Sequence, residues 1–324
     1  GTNLDLPANT RVIDVTGQCV YPGLIAAPTS LGLVEVGAVR ATLDESELGL
    51  EKGELKAYVS YNPDSEIIPT IRSNGVTTAL VVPGGRMVMG RSSLINLDGW
   101  TVEDALVVPE VGLHLAWPRA SVVSEWWMEE SPEEQKRAQE EERARLRQTF
   151  ENARAYYVAR TADPSTPIDS RWEGFLGLYD RSLPLFVHAD DYRQIEQAIE
   201  FAKEFGLRMI LVGGREAHKA ASLLRENSVP VIYGHTQRLP MREDDEYDLS
   251  GRIPAMLLDA GIPFCLSTGG GASGVRNLPI QAGTTVAYGL SHDQALRSIT
   301  LSVAEILGVQ KDLGSLEPGK KATL

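Results

Sequence analysis

The chain has 324 residues, of which 43% are apolar and 23% are charged, an ordinary globular balance that allows a large buried core. Its formal net charge of −13 argues against binding to nucleic acid or to an anionic membrane surface, because both require clustered lysine and arginine. No apolar stretch approaches the length of a membrane span. The length suits one large α/β barrel with insertions.

Strand candidates in the first third of the chain are the apolar runs 20–28, 76–83 and 112–118. Residues 82–99 are rich in glycine and arginine and show little strand or helix pattern, which predicts a long insertion loop, or a lid over the barrel mouth. Residues 131–160 are highly charged and predict a long helix with a solvated face.

The segment 183–269 carries the clearest pattern, in which short apolar runs that end in polar or small residues alternate with helical spacing. The predicted strands are 183–190, 208–214, 230–234 and 263–269. Between the first two, Asp190 or Asp191 can cap a helix that Gly206 ends. This alternation predicts a parallel sheet whose functional groups lie at the carboxyl ends of its strands.

Later in the chain, the glycine-rich residues 269–277 follow the last predicted strand. Such a loop can bind phosphate through backbone N–H groups, with Arg276 adding charge, but a tight barrel turn has the same composition and we favour it. Ser291 and Gln294 have the spacing of a capping box and predict a helix start. Cys19 and Cys265 each lie in an apolar run, which favours buried free thiols over a disulfide.

Two stretches resemble the amidohydrolase superfamily, especially its imidazolonepropionase-like branch. Residues 10–33, TRVIDVTGQCVYPGLIAAPTSLGL, are similar to the family's passage from a small β-sandwich into the first barrel strand. Residues 288–324, YGLSHDQALRSITLSVAEILGVQKDLGSLEPGKKATL, are similar to its closing segment, in which the last helices lead back into that sandwich through an L-G-S-L-E-P-G-K turn. The resemblance implies a (β/α)8 TIM-type barrel of the metal-dependent-hydrolase type over 23–314. Residues 1–22 and 315–324 would be remnants of the sandwich, with outer strands beyond both ends.

The resemblance also implies C–N bond hydrolysis with zinc or another divalent metal that activates a water molecule. The family's ligands are an H-x-H pair after strand one, histidines after strands five and six, and an aspartate after strand eight that doubles as general base. These positions are occupied here by Pro28, Ser30, His188, Gly213 and Gly269. Proline and glycine offer no donor side chain, so we expect no resident metal and no catalytic residue at these positions.

Other polar residues near predicted strand ends are candidates for ligand contact: Ser30, Arg40, His188, Asp190, Arg215, His235, Thr268 and Arg276. A relocated metal site is the less favoured alternative, with donors drawn from His188, Asp190, Asp191, His235 and Glu35. Equally, His188 can be a core residue, His235 a surface loop residue, and Arg40 and Arg215 solvated or salt-bridged arginines. We expect His114 and His218 to be structural and His292 to belong to a helix start.

Three functions of different classes follow. The chain can be a family member that keeps the fold and a small-molecule pocket but not the metal chemistry, alone or paired with an active homologue. It can be a working C–N hydrolase with a relocated or single-metal site. It can also be a structural or assembly subunit, as a homo-oligomer or hetero-oligomer. The resemblance further implies a bacterial protein, periplasmic or secreted.

Overall fold

Eight strands form one sheet that curls into a nearly closed barrel in the computed structural model, which describes residues 8–123, 129–234, 236–240 and 244–324. The strands are β1 Leu24–Thr29, β2 Val76–Val81, β3 Val88–Asn96, β4 Leu106–Ala116, β5 Leu185–Ala189, β6 Met209–Gly213, β7 Val231–Tyr233 and β8 Phe264–Leu266. They lie side by side in chain order. The Ser30 N–H donates to the Gly270 carbonyl at 2.8 Å, so the segments that follow β1 and β8 meet and close the ring.

Helices surround this barrel. They are α1 Ile68–Ser73, α2 Val102–Ala105, α3 Pro132–Ala162, α4 Ser170–Glu173, α5 Leu176–Tyr179, α6 Tyr192–Phe205, α7 Ala221–Glu226, α8 Leu249–Asp259, α9 Leu278–Val286, α10 His292–Ser298 and α11 Leu301–Leu307. Short 3-10 helices lie at Arg40–Thr42, Ala57–Ser60 and Ser273–Asn277. The TIM-type barrel predicted from the sequence is confirmed. No helix within the described ranges is both long enough and apolar enough to cross a membrane.

One strand runs against the others. β1–β2 and all pairs from β4 to β8 are parallel, but β3 is antiparallel to both β2 and β4. The prediction of an insertion loop or lid over 82–99 was therefore wrong, because residues 88–96 are a barrel strand. Buried polar residues had concealed the strand pattern. The Ser92 and Ser93 hydroxyls donate to the carbonyls of Gly112 and Pro109, which makes their burial tolerable.

Two apolar layers hold the barrel together. Inside it, alternate residues of the strands pack on one another, and α11 closes the amino-terminal end with Val303, Ala304 and Leu307. Outside it, the opposite faces of the strands pack against the helices. This alternation follows from the two-residue repeat of a strand, which sends successive side chains to opposite faces.

Local signals predicted the helix boundaries well. Asp191 caps α6 by accepting from the Gln194 N–H, and Gly206 ends the helix with a left-handed φ of 70°. The capping box of Ser291 and Gln294 starts α10, as predicted. The charged helix α3 is solvated on one face, while Phe150 on its other face is fully buried.

The segments outside the barrel are less regular. Residues 8–23 and 308–324 contain no strand, and the Gly23 N–H donates to the Thr323 carbonyl at 2.8 Å, which joins them beside β1. Their assignment to a β-sandwich stays a prediction. Cys265 is a buried free thiol, as predicted, but Cys19 is exposed because residues 11–20 do not pack on the barrel.

Candidate functional site

Two histidines meet inside the barrel, near the carboxyl ends of β4 and β5. These strands are parallel neighbours, and Ala116 lies opposite His188 in the register. His114 lies two residues before Ala116 on β4, so both histidine side chains point to the interior. The His114 Nδ1 is 2.9 Å from the His188 Nε2, a hydrogen bond in which one ring donates its N–H to the bare nitrogen of the other.

Burial controls the charge of this pair. Burial lowers the pKa of His114 well below its usual value, and the neighbouring His188 lowers it further. Burial also lowers the pKa of His188, to about 4, although the Asp190 carboxylate opposes the shift. Both imidazoles are therefore neutral at pH 7. The His114 ring stacks on Phe186 with ring centres 4.4 Å apart, and its Nε2 is buried without a partner in the described structure.

Sequence reasoning missed this pairing because it treated His114 as an isolated core residue. A signal was present. Leu113 and Leu115 pack in the outer layer, so the alternation along β4 sends His114 inward, next to the strand that carries His188.

The positions that correspond to the family's metal ligands lie at strand ends but offer few donors. Pro28 is buried within β1, and Ser30 follows this strand, half-buried. Gly213, at the end of β6, has a φ of 99°, and a Cβ there would lie 2.7 Å from the Asp190 Oδ1. Gly269 has a φ of 84°. The Asp190 carboxylate therefore occupies the space beside β6 where a side chain at position 213 would start.

Within residues 8–123, 129–234, 236–240 and 244–324, no group of three or more His, Cys, Asp or Glu side chains is placed to hold a metal ion. The residues considered for a relocated metal site have other contacts. The Asp191 carboxylate caps α6. Glu35 lies beside the buried Tyr61, whose pKa is raised by burial and further by the Glu35 charge. His235 lies outside the described residues.

The structure does not gather the remaining ligand-contact candidates into one place. Arg40 is exposed on its 3-10 helix, and Arg276 is exposed on another. Thr268 is half-buried just after β8. His292 is an exposed first residue of α10, which agrees with its predicted place at a helix start.

A cavity of about 830 Å³ opens at the carboxyl ends of β4, β5 and β6 and beside the start of α8. Asp190 and Arg215 of the predicted candidates line it, whereas His188 and Ser30 do not. The wall also includes the nearly buried Trp117. Its other lining residues are Arg119, Ser121, Val123, Asp191, Gln194, Glu216, His218, Lys219, Leu239, Pro240, Asp245, Leu249, Ser250 and Ile253.

Hydrogen bonds fix the floor of this cavity. The Asp190 carbonyl accepts from the Glu216 N–H at 2.8 Å, and the Asp190 carboxylate accepts from the Arg215 N–H at 3.4 Å. The Glu216 carboxylate in turn accepts from the Tyr192 N–H at 2.8 Å. The loops after β5 and β6 are thus joined to each other. Burial lowers the pKa of His218, whose Nδ1 is buried without a partner in the described part of the chain.

Comparison with known proteins agrees with this architecture. Residues 110–324 match the model of the amidohydrolase family. The chain therefore belongs to the amidohydrolase family. The imidazolonepropionase of Alkaliphilus metalliredigens (strain QYMF) is 24% identical over 99% of this chain and 78% of its own length.

Solved structures show the same fold. An amidohydrolase from Thermotoga maritima MSB8 superposes with a TM-score of 0.86 at 26% identity, covering 99% of this chain and 84% of its own. A prolidase complexed with N-methylphosphonate-L-proline superposes with a TM-score of 0.53 at 17% identity, covering 99% of this chain and 82% of its own.

Proposed function

We propose that this chain is an amidohydrolase-family protein that binds a small molecule in the cavity at the barrel mouth and does not carry out metal-dependent C–N hydrolysis. The main support for this proposal is the shortage of side chains that can bind a metal. Pro28, Gly213 and Gly269 contribute no donor side chain where the family resemblance implies metal ligands. A protein zinc site needs at least three converging donors.

The histidine pair supports the same proposal. Among the described residues, the imidazole of His188 is within hydrogen-bond distance of another imidazole and not of a carboxylate that would orient it towards a metal. Ser30 adds a neutral hydroxyl, which is a poor ligand beside imidazole. These residues do not fit the family's metal, and the position of the family's general base is a glycine without a proton acceptor.

The size of the cavity favours a bound small molecule over a purely structural role. Its volume of about 830 Å³ lies within the roughly 300–1,000 Å³ range of small-molecule sites. Its wall combines apolar side chains such as Trp117 and Ile253 with charged ones such as Arg215 and Asp190. This mixture is typical of ligand pockets.

The test combines metal analysis with an activity screen. Purified protein is incubated with zinc, nickel and manganese, desalted, and analysed by plasma mass spectrometry. It is then assayed on hydantoins, imidazolones, N-acyl amino acids and dipeptides with and without a chelator. We expect metal far below one ion per chain and no chelator-sensitive turnover. One tightly held ion per chain together with chelator-sensitive hydrolysis would refute the proposal.

The His114→Phe variant provides a matched control, because phenylalanine keeps the ring that stacks on Phe186. If a trace of metal reflects weak binding to the two imidazoles, this variant loses it. A trace that persists unchanged in the variant comes from elsewhere on the surface.

A further inference from the structure

The charged side chains around the cavity at the barrel mouth are unequally paired. The Lys219 ammonium donates to the Glu216 carboxylate at 2.8 Å, and that carboxylate also accepts from the Tyr192 N–H. Asp191 is engaged as the cap of α6. These groups have local partners that account for their positions, so they need no ligand.

Arg215 is different. Its side chain is only 21% exposed, and its Nε is buried without a hydrogen-bond partner in the part of the chain that the structure describes. The ion pair to Asp190 has an N–O distance of 3.9 Å, longer than a hydrogen bond. The Nε itself is closed to a molecule in the cavity, but the exposed fifth of the Arg215 side chain lines the cavity and has no close carboxylate partner among the described residues.

A second guanidinium faces the same cavity. Arg119 follows β4 and lines the cavity together with Arg215. Among the described residues no carboxylate forms an ion pair with Arg119, although the chain as a whole carries an excess of negative charge. Arg119 is exposed, and together with the partly exposed Arg215 it gives this part of the cavity two guanidinium groups that can meet an anion.

Part of the lining of the cavity is apolar. Trp117 is 7% exposed, and Ile253 on α8 is 1% exposed, so both present fixed surfaces rather than mobile side chains. Leu249 and Pro240 also line the cavity. A ligand that contacts both the arginines and these apolar side chains would carry an apolar body as well as a charged end.

We propose that Arg215, assisted by Arg119, binds the carboxylate of a small molecule whose apolar body packs against Trp117 and Ile253. This proposal rests on the proposed function, because it names the class of ligand for the same cavity. A planar guanidinium can donate two parallel N–H bonds to a carboxylate, a geometry that lysine cannot provide.

The test uses three pairs of probes that differ only in charge at one end: hippurate and hippuramide, indole-3-acetate and indole-3-acetamide, and benzoate and benzamide. Benzyl phosphate is tested separately, to determine whether the site prefers a phosphate to a carboxylate. Binding is measured by isothermal titration calorimetry on the full chain at low and at high salt. We expect at least one carboxylate to bind about tenfold or more tightly than its amide, since charge-assisted hydrogen bonds are roughly twice as strong as neutral ones.

Variants separate a specific site from general electrostatic attraction. Arg215→Gln should weaken binding of the carboxylate by about tenfold or more while leaving the amide unchanged, and Arg215→Lys should recover only part of the loss. Arg119→Gln should weaken it less. Lys219→Gln removes the same charge from the same cavity, but its ammonium is already paired with Glu216, so we expect a change of about twofold at most.

The possible outcomes are distinct. Equal affinity for acids and amides, no binding by any carboxylate, or an equal loss in Lys219→Gln and Arg215→Gln would overturn this proposal. Preference for benzyl phosphate over every carboxylate would also overturn it and would assign the arginines to a phosphate. If an amide binds, no carboxylate binds better, and Arg215→Gln has no effect, the carboxylate proposal fails while the proposed function stands. Chelator-sensitive turnover would instead refute the proposed function.

Discussion

The two halves of the barrel are stabilised in different ways. From β4 to β8 the strands are parallel and buried, and capped helices cross between several of them, as in α6. From β2 to β4 the chain forms an antiparallel meander, in which Arg91 of β3 is bonded to Glu110 of β4. The parallel half relies on apolar packing, and the meander relies in part on buried polar contacts. Apolar packing produces a hydrophobic pattern in the sequence, whereas buried polar contacts do not.

The largest expected effect is in the packing of the parallel half. Phe150 on α3 is fully buried and meets Phe175, Phe201 and Phe205 edge-on. We expect Phe150→Ala to lower the free energy of unfolding by about 4 kcal/mol, because it removes the ring and leaves a cavity. Urea denaturation measures this loss. Phe150→Leu should cost less than half as much, and equal losses would contradict a packing role.

The polar contacts of the meander give the next largest effect. The Arg91 side chain is 9% exposed and donates to the carbonyls of Gly53 and Glu54 as well as to Glu110. Arg91→Met should lower the free energy of unfolding by about 3 kcal/mol, since it leaves a half-buried carboxylate and two carbonyls without this donor.

Lys56 provides the control for that prediction, because it contacts the same carboxylate at 2.8 Å from a more exposed position. Lys56→Gln should cost about 0.5 kcal/mol, the usual contribution of a partly exposed ion pair. Burial raises the pKa of Glu110, but its bonds to Lys56 and Arg91 outweigh burial and leave the pKa lowered. If Lys56→Gln and Arg91→Met destabilise the protein equally, the meander does not depend on the buried arginine.

The histidine pair predicts a pH dependence at the junction of the two halves. The pKa of His188 is lowered by burial from 6.5 to about 4, so the unfolded chain binds a proton at a higher pH than the folded chain does. The stability contributed by the neutral imidazole is therefore complete above pH 6.5 and is lost as the pH falls towards 4. Thermal denaturation between pH 7.5 and 4 checks this.

His188→Gln isolates the contribution of that imidazole, because glutamine has a similar reach and does not titrate. The decline in melting temperature between pH 6.5 and 4 should become shallower in this variant. If the decline in melting temperature with pH is unchanged in this variant, a group other than His188 causes it. His292→Gln is the control substitution, since that side chain is exposed and lies away from the pair.

A smaller effect than those of Phe150 and Arg91 is expected at the start of α6. The Asp191 carboxylate accepts from the Gln194 N–H at 2.9 Å, and the Gln194 side-chain oxygen accepts from the Asp191 N–H at 3.3 Å. Asp191→Ala should lower the free energy of unfolding by about 1 kcal/mol, and Asp191→Asn should retain most of the cap. Equal losses in the two variants would show that charge, rather than the hydrogen bond, matters here.

The sequence predicted the fold and the parallel half because most strands there contain a short apolar run and helices such as α6 and α10 carry recognisable caps. It did not predict β3, because Arg91, Ser92 and Ser93 are buried with partners on other strands that no local pattern reveals. The exposure of Cys19 was missed for the opposite reason: an apolar neighbourhood in sequence does not guarantee burial.

The candidate site was predictable in part. Asp190 and Arg215 were singled out because they follow strands, and the structure places both at one cavity. The contribution of Trp117 and Arg119 required the three-dimensional arrangement of the loops after β4. The bond between His114 and His188 depends on the register of two strands that are more than seventy residues apart in the chain. Strand register at that separation is set by packing and not by local sequence.

Anomalous diffraction at the zinc absorption edge, from crystals soaked in zinc, tests the central claim most directly. The account predicts no fully occupied peak at the carboxyl ends of the strands, because Pro28, Ser30, Gly213 and Gly269 leave too few donors there. A full-occupancy peak coordinated by three or more protein side chains at that end of the barrel would contradict it.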